Sequence, residues 1–378
     1  MTFLCMKLRF AHAGLRFERG TGREEMGNKA IVFTGPNTAE LVSESIPEPK
    51  PGEVLVRLVR SAVSSGTERA NVTGVPDNAT SVYCDSPDDQ VTWPRRGGYS
   101  SAGVVEAVGE GVTTVKAGDR VAASWTVHRH FVCVPEKLVY RLPDSVSFEQ
   151  GALVHISTFP MSAIRKCRLE IGESSLVMGQ GILGQFAVML LRAAGSAPVV
   201  AADPVPEKRE RSISLGADYA FDPMSAGFAK KVKSVTDLGR KVQNGHTEDS
   251  GAKVVIEVTG NGAALDTALD AIAPFGRLAL LGCTRDSSFR INYYRKVHGR
   301  GVTLVGAHTS ARPVDESAAG WWTTRDDAKA FLNLLALGRV SLDGFVDEVR
   351  SPAECGEVYA RLARGGAFPN VQFDWERL

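Results

Sequence analysis

Cysteine is scarce and scattered in this chain. Six thiols, Cys5, Cys84, Cys133, Cys167, Cys283 and Cys355, are spread over 378 residues. No two form a CxxC pair, which argues against a zinc knuckle or a dithiol redox pair. Dispersed thiols in a long chain indicate packing roles in a reducing compartment, so a cytoplasmic location is expected. No apolar run reaches the ~18 residues a membrane span needs, and no membrane partner is expected. Neither sign of charge dominates, with 44 Lys and Arg against 43 Asp and Glu. Without a long basic run the chain lacks the electrostatic footprint of a nucleic-acid binder. What remains is an ordinary globular composition, 43% hydrophobic and 23% charged, in a chain long enough for two domains. A small-molecule substrate is the partner this leaves.

The first 25 residues carry no readable function. Their apolar run is too short for a signal peptide. Arg9, Arg16, Arg19 and Arg23 suit a transit peptide, but Glu18, Glu24 and Glu25 oppose one. From Met26, "MGNKAIVF" enters a strand directly. Residues 1–25 therefore read as a loose, disordered tail or as the product of a start codon placed too early.

From residue 28 to about 145, short strand-like runs alternate with Pro and Gly. "PEPKPGEVLVRLVRSAV" alternates Val54, Val56 and Leu58 with polar neighbours, and "AGVVEAVGEGV", "AGDRVAAS", "HFVCVP" and "LVYRLPD" follow. This half reads as an all-β, barrel-like unit. Near residue 150 the period changes. "SLVMG" is an apolar strand ending in glycine; Leu183, Phe186, Ala187, Leu190, Leu191 and Ala194 then recur at helical spacing up to Gly195. "PVVAADP", "KVVIEVTG", "GRLALLG" and "VTLVGAH" repeat the theme. Apolar strands alternating with helices predict a parallel sheet covered on both faces. The stretch 239–252 reads as an exposed loop. "TTRDDAKAFLNLLALGR" predicts a late helix capped by Thr323 or Thr324 and ended by Gly338.

The strongest chemical signal is "VMGQGILGQF". Gly179, Gly181 and Gly184 form G-x-G-x-x-G after a strand and at the start of a helix, with Ile182 and Leu183 inside the turn. The first glycine permits the tight turn, the second lets a pyrophosphate approach the backbone, and the third lets helix and strand pack closely. Phosphates then meet free N–H groups at the helix N-terminus. Asp203 lies 24 residues after Gly179 at the end of the next apolar strand. A carboxylate there binds ribose hydroxyls and repels a 2′-phosphate, which favours NAD; Lys208 and Arg209 nearby leave NADP open.

Together, "PGEVLVRL", "SSAGVVEAVGEGV", "KAGDRV", "GQGILG", "SLGAD" and "VIEVTG" resemble the medium-chain dehydrogenase/reductase family, whose best-known members are zinc alcohol dehydrogenases. The resemblance covers about residues 26–378. It implies an α/β Rossmann domain with a doubly wound parallel sheet, joined to a β-rich GroES-like catalytic domain. The implied division is 26–160 for the GroES-like domain, 161–309 for the NAD(P)-binding Rossmann domain, and 310–378 for a C-terminal return to the first. The cleft between them would hold the active site. Pairing through "VTLVGAH" would give a homodimer or homotetramer. Gly260, Gly282 and Cys283 would lie over the nicotinamide half, with Ala307 and His308 near its carboxamide.

The departures from the family matter more. Where relatives read Gly-His-Glu, with the histidine on a catalytic zinc, this chain has Gly98, Tyr99 and Ser100. Ser65 stands where relatives carry a cysteine ligand, and a third ligand position falls near Val154 and His155. The lobe with four structural-zinc cysteines is absent. No metal site is expected. The "SSGTE" and "WWTTRDD" segments are similar to a branch of bacteriochlorophyllide, sugar and cyclitol dehydrogenases. The expected function is thus zinc-independent, NAD(P)-dependent oxidoreduction of a hydroxyl or carbonyl on a polyol, sugar, cyclitol or related metabolite. An enoyl or quinone reductase and a non-catalytic nucleotide-binding protein stay open.

Without zinc, side chains must handle the substrate's oxygen and its proton. The family position of Thr67 implies a proton relay. Tyr99 and His155, at former ligand positions, should line the cleft, Ser65 should sit beside them, and His128 could act as base. His128 and His130 alternate and are expected to face one side. Glu68 is expected to orient Arg69 or another neighbour. Trp321 and Trp322 are expected to staple a helix start or wall the pocket.

Overall fold

The computed structural model describes residues 27–74, 92–237, 250–283 and 288–378. The tail expected over residues 1–25 and most of the 239–252 loop lie outside the described residues.

The first half folds as short strands: β1 (Asn28–Gly35), β2 (Thr38–Glu44), β3 (Glu53–Ala62), β4 (Ser100–Val108), β5 (Arg120–Ser124), β6 (Phe131–Pro135) and β7 (Val139–Arg141), with helix α1 (Ser65–Thr73) after β3. β3 pairs antiparallel with both β4 and β6, and β4 with β5. Val54, Val56 and Leu58 point into a core shared with Ile31, Phe33 and Val121, as strand alternation requires.

The short helix α2 (Phe148–Gly151) starts with a capping box between Ser147 and Gln150. Helix α3 (Val154–Lys166) follows and leads into the parallel sheet. In chain order that sheet is β8 (Ser175–Met178), α4 (Ile182–Ala193), β9 (Val199–Ala202), α5 (Pro206–Ser214), β10 (Tyr219–Phe221), α6 (Phe228–Thr236), β11 (Ala252–Glu257), α7 (Gly262–Ala271), β12 (Ile272–Leu280), α8 (Tyr293–Lys296) and β13 (Thr303–Gly306). The spatial order is β10-β9-β8-β11-β12-β13, all parallel. Chain order reverses between β8 and β11, and in open α/β sheets that crevice is where a dinucleotide binds. Val177, Ala201 and Ile256 pack on one face of the sheet, Leu176, Val200 and Val255 on the other. This two-sided burial explains the nearly unbroken apolar strands.

The chain ends with α9 (Thr324–Ala336), β14 (Glu348–Arg350), α10 (Cys355–Arg364) and β15 (Val371–Asp374). β15 pairs with β3 and so returns to the first sheet. Thr323, not Thr324, caps α9, accepting the Asp326 N–H. Trp321 and Trp322, just before that cap, receive cations, Lys166 Nζ at 5.0 Å and the Arg165 guanidinium at 3.5 Å from the ring centres. Among the described residues no helix is long and apolar enough to cross a membrane.

Candidate active site

Tyr99, just before β4, is 8% exposed and donates its phenol proton to Ser64 Oγ at the start of α1. Thr67, exposed on the first turn of α1, also reaches the phenol through its side chain. Burial pushes the Tyr99 phenol well above its ordinary value, and the charge of Glu68 adds to the shift. The group is a protonated donor at neutral pH. Ser65 is half-buried on the same turn, but the serine that meets Tyr99 is Ser64.

His155 lies in the first turn of α3 and is 1% exposed. Its ring stands 5.6 Å from Tyr99, 4.8 Å from Trp125 and 5.1 Å from Phe159. Both its nitrogens are buried without a hydrogen-bond partner. Burial, helped by the positive charge of Arg312, pulls its pKa down to about 3. His155 is therefore neutral, with one N–H and one lone pair facing no protein group, a costly state in a core unless a ligand or water completes it. Trp125 roofs this cluster at 46% exposure, with a left-handed backbone at φ 56°. That conformation is unusual for a bulky residue and characteristic of functional sites. The Trp125 N–H donates to the Tyr99 carbonyl at 2.8 Å, tying the two rings' backbones together.

The depressed His155 pKa carries a stability prediction. Below pH 6.5 the unfolded chain protonates this histidine while the folded chain does not, so the unfolded state gains protons and stability falls as the pH drops. The loss reaches about 2 kcal/mol at pH 5. Denaturant unfolding of wild type and His155→Phe at pH 7 and pH 5 should show a smaller acid loss in the variant. Equal losses in the two proteins would contradict the assignment.

The nucleotide side is built by close approach. A Cβ on Gly184 would sit 1.9 Å from the Gly179 carbonyl oxygen, and one on Gly179, at φ 94°, would sit 2.7 Å from Thr259. A Cβ on Gly181 would meet nothing within 4 Å, so the middle position of the turn opens onto free space. Gly181 caps α4, Ile182 begins it buried, and Leu183 is half-buried on the same turn. Asp203 is 5% exposed; its carboxylate accepts the Gln180 N–H at 2.8 Å and the Val205 N–H at 2.9 Å. The acid expected to bind ribose thus also clamps the glycine turn, with lone pairs to spare. Arg209 donates to the Asp203 carbonyl at 2.7 Å, which places a guanidinium beside it.

Across the crevice, Gly282 and Gly260 pack so tightly that a Cβ on Gly282 would sit 2.3 Å from the Gly260 nitrogen. Buried Glu257 holds this turn by accepting the N–H groups of Thr259 at 2.7 Å and Gly260 at 3.2 Å. Cys283 is exposed there, on the Tyr99 side of the turn. The glycine turn and the strand-end loops therefore converge, Gly179 lying against Thr259 and Gly260 against Cys283. Ala307 is buried after β13, and half-buried His308 pairs with Ser310 at 2.7 Å. Burial lowers the His308 pKa, as does the charge of Lys166.

His128 differs from expectation. It is fully buried, with Nδ1 2.8 Å from Ser61 Oγ and Nε2 3.0 Å from Glu68. Both nitrogens are engaged inside the barrel core, so His128 is not a free base in the cleft. His130 stacks on Trp375 instead, at 6.1 Å. Glu68 does not orient Arg69; it accepts from Ser64, His128 and Tyr359. Ser64, Trp125, Phe159 and Glu257 were absent from the sequence-based candidates. The doubled serine of "SSGTE" and the glutamate of "VIEVTG" were the available signals for two of them.

A zinc ion does not suit the donor set at the former ligand positions. Ser65 carries a neutral hydroxyl, Tyr99 a phenol that burial keeps protonated, and His155 one imidazole. Zinc sites draw on several thiolate, imidazole and carboxylate donors. Among the described residues no three His, Cys, Asp or Glu side chains are grouped to hold a metal. For a dinucleotide, by contrast, the open face at Gly181, the clamped turn and Asp203 are suited to the pyrophosphate and ribose.

Comparison with known proteins bears on both halves. The "Alcohol dehydrogenase GroES-like domain" family matches residues 50–198, and the "Zinc-binding dehydrogenase" family matches residues 183–321. L-threonine 3-dehydrogenase of Pyrococcus abyssi is 25% identical over 91% of this chain and 97% of its own. D-guloside 3-dehydrogenase of Shigella flexneri is 24% identical over 88% and 95%. The structure of 2R,3R-butanediol dehydrogenase from Bacillus subtilis superposes with a TM-score of 0.74 at 23% identity, covering 92% of this chain and 99% of that one.

Proposed function

The chain belongs to the zinc alcohol dehydrogenase-like, medium-chain dehydrogenase/reductase family of NAD(P)-dependent oxidoreductases, and from that premise we propose a zinc-independent dehydrogenase. Its substrate is a secondary alcohol, or the matching ketone, on a small polyol, sugar or cyclitol. The observation that carries this reading is the pairing of a protonated Tyr99 phenol, bonded to Ser64, with a neutral His155 whose nitrogens have no protein partner. Relatives that act on L-threonine, a D-guloside and a butanediol share a secondary hydroxyl as the reacting group, which supports the substrate class.

Gly179, Gly181, Ile182, Leu183 and Gly184 would hold the pyrophosphate and Asp203 the ribose, favouring NAD. Gly260, Gly282, Cys283, Ala307 and His308 would border the nicotinamide ring, which when bound accepts or supplies the hydride. With substrate bound, Tyr99 Oη turns its one proton from Ser64 Oγ to the substrate oxygen, accepts the Ser64 hydroxyl proton in its place, and gives up its own proton when the substrate oxygen is a forming alkoxide. Thr67, exposed at the edge, exchanges that proton with solvent. His155, too weak a base to keep a proton, orients the substrate by a hydrogen bond from or to its ring. Trp125 and Phe159 exclude water from the reacting carbon. The open edge strand β13, with Thr303 and Gly306 exposed, is the surface through which two copies would pair.

A phenol kept protonated is also the acid that an enolate needs, which favours an enoyl or quinone reductase as second reading. One experiment separates the readings: metal analysis of the purified protein, then NAD- and NADP-linked turnover of secondary diols, cyclitols and enones, with and without a chelator. The expected result is substoichiometric zinc and chelator-resistant oxidation of secondary alcohols. Stoichiometric zinc, or activity that chelation removes and zinc restores, would overturn zinc independence. Turnover of enones alone would select the second reading.

A further inference from the structure

Glu68 is fully buried on the first turn of α1, away from any lysine or arginine partner among the described residues. Three donors converge on its carboxylate. The Ser64 N–H reaches Oε1 at 2.8 Å, while His128 Nε2, at 3.0 Å, and the Tyr359 hydroxyl share Oε2. Behind His128, Trp375 Nε1 donates to Ser61 Oγ at 2.9 Å, and Ser61 Oγ lies 2.8 Å from His128 Nδ1. An indole can only donate, so Ser61 accepts from Trp375, and a carboxylate can only accept, so His128 Nε2 donates to Glu68; Nδ1 is then left to accept the Ser61 hydroxyl proton. In that arrangement each bond of the chain points toward the carboxylate.

The start of α1 gives this cluster a purpose. Ser64 is the N-cap, yet its side chain makes no capping bond. A serine at that position ordinarily accepts an N–H of the first turn. Here the Ser64 hydroxyl accepts the Tyr99 phenol instead, and Glu68 reaches back to the Ser64 N–H, the return half of a capping arrangement. We propose that Glu68 is a positioning residue: it secures the Ser64 backbone so that the Ser64 hydroxyl is released to hold Tyr99. The Trp375–Ser61–His128 chain and Tyr359 lock Glu68 in that post. The C-terminal segment thereby sets the geometry of a phenol it does not touch. This inference rests on the reading that Tyr99 serves the substrate's oxygen.

The test measures kcat and KM of the full-length protein with NAD and racemic butane-2,3-diol, with folded active sites counted by NADH binding. Glu68→Gln keeps the shape but offers one oxygen to three donors. It should lower kcat roughly tenfold, with KM for NAD within about twofold. In a Ser64→Ala background the same change should have no further effect on kcat, because the group through which Glu68 acts is gone. Tyr359→Phe, a milder change, should lower kcat about threefold, and it decides the matter if Glu68→Gln does not fold. Wild-type kcat per folded site in Glu68→Gln or, failing that, in Tyr359→Phe would overturn the inference, as would additive losses in the Ser64→Ala background. Tyr99→Phe is measured alongside. If it loses turnover while Glu68→Gln does not, only the positioning role falls; if Tyr99→Phe is silent, the reading beneath it falls as well.

Discussion

Tyr99→Phe is expected to reduce kcat by about 10²–10⁴-fold, the range typical of a lost general acid. The substitution keeps the ring, and with it the contacts to His155, Phe159 and Trp125. It removes the one hydroxyl that joins Ser64 and Thr67 to the pocket. NADH binding, measured by fluorescence, should change little, because the glycine turn lies on another sheet. The loss should therefore appear in kcat and kcat/KM together, the signature of an interaction made mainly in the transition state. Thr67→Ala should give a smaller loss of the same kind, since Ser64 still holds the phenol but the exposed exit for its proton is gone. Undiminished turnover in Tyr99→Phe would remove the phenol from the chemistry. Undiminished turnover in Thr67→Ala would remove the relay alone.

Gly184→Ala should abolish dinucleotide binding and destabilise the fold. A methyl group at 1.9 Å from the Gly179 carbonyl oxygen cannot be accommodated in place. Either α4 moves off the end of β8 or the turn itself shifts. Overpacking of this kind costs about 1–3 kcal/mol, and more where backbone rather than a flexible side chain is struck. The displaced turn would also lose the bond between the Gln180 N–H and Asp203, so the ribose and pyrophosphate elements would go together. Calorimetry should show a lower Tm, and NADH titration should show at least about a hundredfold weaker binding. Gly181→Ala is the control. Its added methyl meets no protein atom, so it should leave Tm nearly unchanged while impairing binding. A stable Gly184→Ala protein with native affinity would refute the close-approach argument.

The parallel sheet was readable because its signals are local. Strand, glycine turn and helix are adjacent in sequence, and burial on both faces writes itself as unbroken apolar runs such as "SLVM" and "PVVAA". The order in which six strands lie side by side follows from the handedness and length of the crossovers. The pocket was less readable, because its parts come from distant segments. Tyr99, Thr67 and His155 are proposed from their positions in a known pattern, whereas Ser64 and Trp125 carry no such mark. A left-handed tryptophan cannot be seen in a string of letters. His128 was misread because alternation along a strand does not say which core a residue enters. Its partners Glu68, Ser61 and Tyr359 lie 60, 67 and 231 positions away in sequence, and long-range contacts of that kind are set by tertiary packing. Asp203 shows a subtler gap: beside the ribose contact proposed for it, its carboxylate holds the glycine turn, which the motif does not suggest.

The backbone at Trp125 narrows the evolutionary choices open to this enzyme. A left-handed torsion costs an ordinary residue about 1–2 kcal/mol, and glycine almost nothing. Any smaller L-residue at this position would keep the penalty and forfeit the roof over His155. Glycine would relax the chain but expose the imidazole to bulk water. Drift toward a new substrate is therefore more accessible through Phe159, which sits in regular helix and can change size without altering the path of the main chain. The lineage that carries this site would be expected to diversify along α3 while the indole stays in place.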